Sequence, residues 1–173
     1  MKFSAIEPLW EHLTTELASL QRQTDDRRYG HVTNPMCDEP HEFDTATASE
    51  VFALEYRRTA DDTWKHRVSG AVQTLQESDL YGGIDELRWG PDTWFEESGS
   101  LFLTGTVLDS LWETTSLYQP DQYIPPTSSQ LDDLISFLEQ CRHEDGRFAH
   151  NVTDILGNPP PDVQNTTAYG LYL

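Results

Sequence analysis

Lysine is almost missing from this chain. Lys2 and Lys65 are the only two among 173 residues, and Lys and Arg together number 11 against 30 Asp and Glu, leaving a net charge of −19. So few cations make nucleic acid and anionic membrane poor partners, because both are bound through cationic contacts. Cysteine is equally scarce: Cys37 and Cys141 lack metal-type spacing and suit a reducing compartment. Long apolar runs are missing too. No stretch approaches the roughly 20 residues of a membrane span, and Met1 to Glu7 lacks the apolar heart of a signal peptide. There is no Gly-rich phosphate loop, no Gly-x-Ser-x-Gly and no informative Cys–His spacing. No cofactor is implied, and the six histidines suggest no metal site.

What is present is acid and aromatic. The carboxylates are spread over every segment, alongside five Trp, seven Tyr and seven Phe. A disordered acidic tail concentrates charge and lacks aromatics, so this composition describes a folded domain with a carboxylate surface. Such a surface repels itself in dilute salt, and near-molar salt relieves it by shortening the screening length to roughly 3 Å. The expected setting is therefore a halophilic, salt-in, cytoplasmic one.

A phrase recurs along the chain. Arg28-Tyr29-Gly30-His31 is followed by Phe43-Asp44-Thr45-Ala46-Thr47-Ala48, and Arg147-Phe148-Ala149-His150 by Val163-Gln164-Asn165-Thr166-Thr167-Ala168. A looser middle copy pairs Leu80-Tyr81-Gly82-Gly83 with Phe95-Glu96-Glu97-Ser98, 52 residues after the first. In this register His31 and His150 are equivalent. A period of this size signals stacked supersecondary units that bury their apolar faces against one another.

Helical periodicity fills the intervals. Ile6, Trp10, Leu13, Leu17 and Leu20 form one stripe, with Ser4 and Glu7 as a capping box and Pro8 in the first turn. A second helix is expected from near Thr47, boxed by Glu50. A third, capped by Asp61 or Asp62, carries Trp64, Val68, Ala71, Val72 and Leu75. A fourth, from about Ser98, is apolar nearly all round. A fifth, capped at Thr127 or Ser128, carries Leu131, Leu134, Ile135, Leu138 and Cys141, and a sixth starts near Gln164. One-stripe helices lie outside and all-round apolar ones inside. The expected fold is a single all-α domain: an arc of α/α hairpins with repeats at about 5–60, 62–116 and 127–173.

Gln140, Asp145-Gly146-Arg147-Phe148, Pro159-Pro160-Pro161-Asp162 and Thr167-Ala168-Tyr169 resemble the repeat of the α/α-toroid superfamily, which includes protein prenyltransferase β subunits and squalene-type terpene cyclases. Gln21, Asp26, Tyr29-Gly30 and Thr47-Ala48 echo it in the first copy; Gln76, Asp79 and Gly82-Gly83 do so in the second. The resemblance implies a partial α/α toroid and an isoprenoid ligand. Departures accompany it. Met36-Cys37-Asp38-Glu39-Pro40 has the residue types of the prenyltransferase zinc site, but no His opens the following helix. Asp61-Asp62 echoes the cyclase acid cluster, but from a helix-capping position.

In a toroid the inner-helix starts rim a central cavity, where helix amides favour anions and polar groups. The candidate catalytic residues are therefore Asp44, Glu96 and Glu97, with Tyr29, His31, Trp94, His150, Gln164 and Asn165 as cavity-lining candidates. Aromatics there suit a prenyl chain or carbocation. A carboxylate pair with Trp89, Trp94 and Trp112 suits a sugar. The structural alternative makes Tyr29, Tyr81 and Phe148 wedges between hairpins and Asp44 a cap. Three functions stand: an isoprenoid-related toroid protein, a non-catalytic interaction module, and a carbohydrate-active α/α barrel. Ala168 to Leu173 breaks off within an expected inner helix. That ending fits a split or truncated gene, a half-ring closed by homodimerisation, or an expressed fragment.

Overall fold

The computed structural model describes residues 6–23, 30–36, 39–77, 87, 89, 100–117, 126–142 and 144–149. Among them are five α-helices: α1 (Glu7–Ser19), α2 (Glu42–Thr59), α3 (Asp62–Glu77), α4 (Leu101–Thr114) and α5 (Ser128–Gln140). A 3-10 turn, Thr115–Leu117, follows α4. The two-residue strands β1 (Thr33–Asn34) and β2 (Glu39–Pro40) pair antiparallel ahead of α2. The protein is mostly helical, as its periodicity predicts, and no helix among the described residues is long and apolar enough to cross a membrane. The chain folds as two compact units, Met1–Leu75 with Ser110–Gln122, and Gln76–Asp109 with Tyr123–Leu173.

In the first unit α2 is the central element. Its buried residues include the small Ala46, Ala48, Ser49 and Ala53 together with the large Phe52. Trp10 of α1 donates its indole N–H to Glu55 at 2.6 Å. Trp64 of α3 lies against Phe52 with ring centroids 5.9 Å apart. Ser110, in the last turns of α4, shares a buried 2.5 Å hydrogen bond with Ser49. The helix closes with Arg57 and Arg58 in its last turn, favourably placed against the C-terminal dipole. Ala60 follows in a left-handed conformation, donating its N–H to Tyr56 O at 2.7 Å.

Two expectations about this unit are corrected. α2 begins at Glu42, five residues before Thr47, because extended His41 serves as N-cap directly after the β1–β2 ribbon. α1 begins at Glu7 with Ile6 at the N-cap and no side-chain cap, though Pro8 does sit in its first turn; Ser4 lies outside the described residues. The apolar stripe of α1 is only partly covered: Trp10, Leu17 and Leu20 are half-buried beside the buried Thr14 and Ala18, whereas Ile6 and Leu13 are 56% and 54% exposed. Other caps follow the sequence reading. Asp61 accepts the Thr63 N–H at 2.9 Å, and this holds its carboxyl below the usual range. Thr127 and Gln130 form a reciprocal capping box on α5. α4 begins slightly later than expected, with the Ser100 hydroxyl accepting the Leu103 N–H at 3.2 Å, and is buried on most sides.

Glu55 is a buried carboxylate of the first unit, 3% exposed. It receives Arg58 through Nε at 3.0 Å and a second guanidinium nitrogen at 2.6 Å, as well as the Trp10 indole. The Arg58 hydrogen bond, aided by Trp10 and opposed by burial, holds the Glu55 carboxyl below its ordinary value. A depressed carboxyl contributes stability that is complete above the unfolded pKa and is lost as pH falls through the folded one. Glu55→Gln is therefore expected to lose about 2 kcal/mol at neutral pH. Urea titrations of both proteins should show the gap closing as pH falls below about 4.3, the ordinary Glu range. A gap unchanged down to pH 3 would mean the ion pair adds nothing.

Candidate functional site

The site-like feature among the described residues is a left-handed turn leading into a buried apolar residue, and it occurs three times. Each occurrence centres on a buried apolar residue: Val32 (1% exposed), Trp89 (0%) and Phe148 (7%). Two positions earlier the backbone turns left-handed, with φ of 87° at Gly30, 49° at Leu87 and 84° at Gly146. Glycine adopts this conformation freely; leucine does so at a cost of about 1–2 kcal/mol. In the first and third occurrences the central residue forms an antiparallel bridge to the end of the preceding helical segment, Val32 to Gln21 and Phe148 to Arg142. The next residue repeats the pairing, Thr33 N–H to Leu20 O at 3.0 Å and Ala149 N–H to Cys141 O at 2.7 Å.

The first and second occurrences share a clip onto the following helix. Val32 donates its N–H to the Thr45 hydroxyl at 3.0 Å, and Trp89 donates to the Thr104 hydroxyl at 3.0 Å. The residue preceding the helix returns a bond, His41 N–H to Val32 O at 3.4 Å and Ser100 N–H to Trp89 O at 2.7 Å. The threonine is four residues further on in both, and its own N–H continues the helix from His41 O or Ser100 O. Both threonines are fully buried. A buried hydroxyl that accepts from one backbone and donates to another satisfies groups that would otherwise lose water without compensation.

This geometry corrects the repeat register. Val32 and Trp89 are 57 residues apart, and Thr45 and Thr104 are 59 apart, against the 52 of the sequence match of Tyr29 with Tyr81 and Phe43 with Phe95, of which Tyr29, Tyr81 and Phe95 lie outside the described residues. Phe148 is equivalent to Val32 rather than Tyr29, which sets His31 against Arg147 and ends the pairing of His31 with His150. What recurs is a left-handed turn and a hydrogen-bond register. Gly, Leu and Gly satisfy the turn, and Val, Trp and Phe fill the buried place, so the letters do not repeat where the structure does.

Of the predicted site residues, Asp44 lies in the first turn of α2. It accepts the Asn34 side-chain amide at 2.9 Å and stands 3.8 Å from His41 Nδ1. Asn34 Oδ1 in turn accepts the Met36 N–H at 2.8 Å, so Asp44 ties the β1 turn to the helix start. Its carboxylate is 27% exposed and keeps one side toward water. His31 is half-buried, with its carbonyl accepting the Arg22 N–H at 2.8 Å. Tyr29, Tyr81, Trp94, Glu96, Glu97, His150, Gln164 and Asn165 lie outside the described residues, as do Cys37 and Asp38. Among the described residues no group of three His, Cys, Asp or Glu is placed to hold a metal. Trp89 is fully buried and offers no face for a sugar, whereas Trp112 is 72% exposed.

Gln21 is the buried polar centre of the first junction. Its Nε2 donates to Gly30 O at 3.1 Å and Arg67 O at 2.8 Å, and its Oε1 accepts from Arg67 at 3.2 Å. Arg67 also donates to Ala18 O at 2.8 Å and lies about 6 Å from the Phe52 and Trp64 ring centres. Burial pushes its guanidinium pKa down. Thr45, Thr104 and Leu87 are the residues that sequence reading missed. A threonine four positions after each helix-start residue would reveal the first two; nothing in the sequence marks Leu87. Compared with protein-family models, with curated proteins and with solved structures, the chain finds no match.

Proposed function

We propose that this chain is a partial α/α toroid, an arc of helical hairpins, that binds an isoprenoid at the side where the inner helices begin, in a salt-rich cytoplasm. The observation that supports the architecture is the left-handed turn before a buried apolar residue, seen three times, with its threonine clip seen twice, since a recurring local geometry is what a repeat array produces. The ligand comes from the resemblance of the repeat phrase to prenyltransferase and terpene-cyclase units. Asp44, beside the α2 amides and partly open to water, is the described residue of the rim, with Glu96 and Glu97 as its expected counterparts. Its engagement by Asn34 favours binding over catalysis, which brings this reading close to that of a non-catalytic interaction module.

The test is thermal unfolding at roughly 2–3 M KCl with geranylgeraniol or a neutral oligosaccharide, for the native chain, Asp44→Asn and Glu96→Gln. The isoprenoid is expected to raise the melting temperature, and either substitution to reduce that shift. A shift by the sugar alone, or an isoprenoid shift indifferent to both substitutions, would remove the rim reading. Without ligand, the melting temperature is expected to climb by about 10 °C or more between roughly 0.1 and 2 M KCl as the carboxylate surface is screened.

A further inference from the structure

We draw no further inference here: the strongest candidate, the cluster of His41, Asp44 and Asn34 where the β1–β2 ribbon meets the start of α2, leaves His41 Nδ1 buried without a hydrogen-bond partner among the described residues and 3.8 Å from Asp44, but it belongs to the rim already described and nothing in the structure shows what ligand it would take.

Discussion

Gly30→Ala is expected to remove about 3–5 kcal/mol of stability, a large part of the 5–15 kcal/mol typical of a domain. Two effects combine. With φ of 87°, any side chain at this position occupies a left-handed conformation, costing about 1–2 kcal/mol. A methyl group would also meet the Gly70 carbonyl at a distance no real contact shows, and Thr74 Oγ1 at 2.7 Å. Both obstacles belong to α3, so the Gly30 turn cannot move away without separating α1 from α3 and disturbing the Gln21 and Arg67 hydrogen bonds. Gly146 is the internal control. It has nearly the same φ, 84°, but no atom lies within 4 Å of the added methyl. Gly146→Ala should therefore lose only about 1–2 kcal/mol. Denaturant titrations of the two variants in high KCl measure the difference, and equal losses would mean that the close approach to α3 contributes nothing.

Trp89→Ala is expected to be comparably damaging, about 3–5 kcal/mol. The side chain is fully buried, so truncation leaves a large cavity in the second unit. The backbone of the same residue holds the start of α4 through Thr104 and Ser100, and slackening there should fray the first turn of that helix. Trp89→Phe, which keeps an aromatic ring, should recover most of the loss. Trp112, 72% exposed, provides the contrast, and Trp112→Ala should stay within about 0.5 kcal/mol of the native chain. Near-ultraviolet circular dichroism with equilibrium unfolding distinguishes these outcomes. A Trp89→Ala protein as stable as the native one would contradict the junction as a structural element.

Local chemistry was readable where its cause is local. The Thr127–Gln130 box and the Asp61 cap involve residues two or three positions apart, so their spacing states their bonding. The all-round apolarity of α4 likewise announced its burial. The start of α2 was not readable, because it depends on a strand pairing and on Val32, thirteen residues before the threonine that receives its N–H. The buried face of α1 was only partly readable: Trp10, Leu17 and Leu20 are half-buried, but the fully buried positions are the small Thr14 and Ala18, and Ile6 and Leu13 lie on an exposed flank.

The sequence by itself determined that this chain is helical and acidic, because periodicity, charge and capping are properties of neighbours along the chain. Only the tertiary structure decided which positions are alike. The turns at Val32, Trp89 and Phe148 share a left-handed residue two positions earlier and a buried apolar centre, and in the first two a hydrogen bond to a threonine 13 or 15 residues further on. Several different side chains satisfy those requirements, so the geometry recurs where the letters do not.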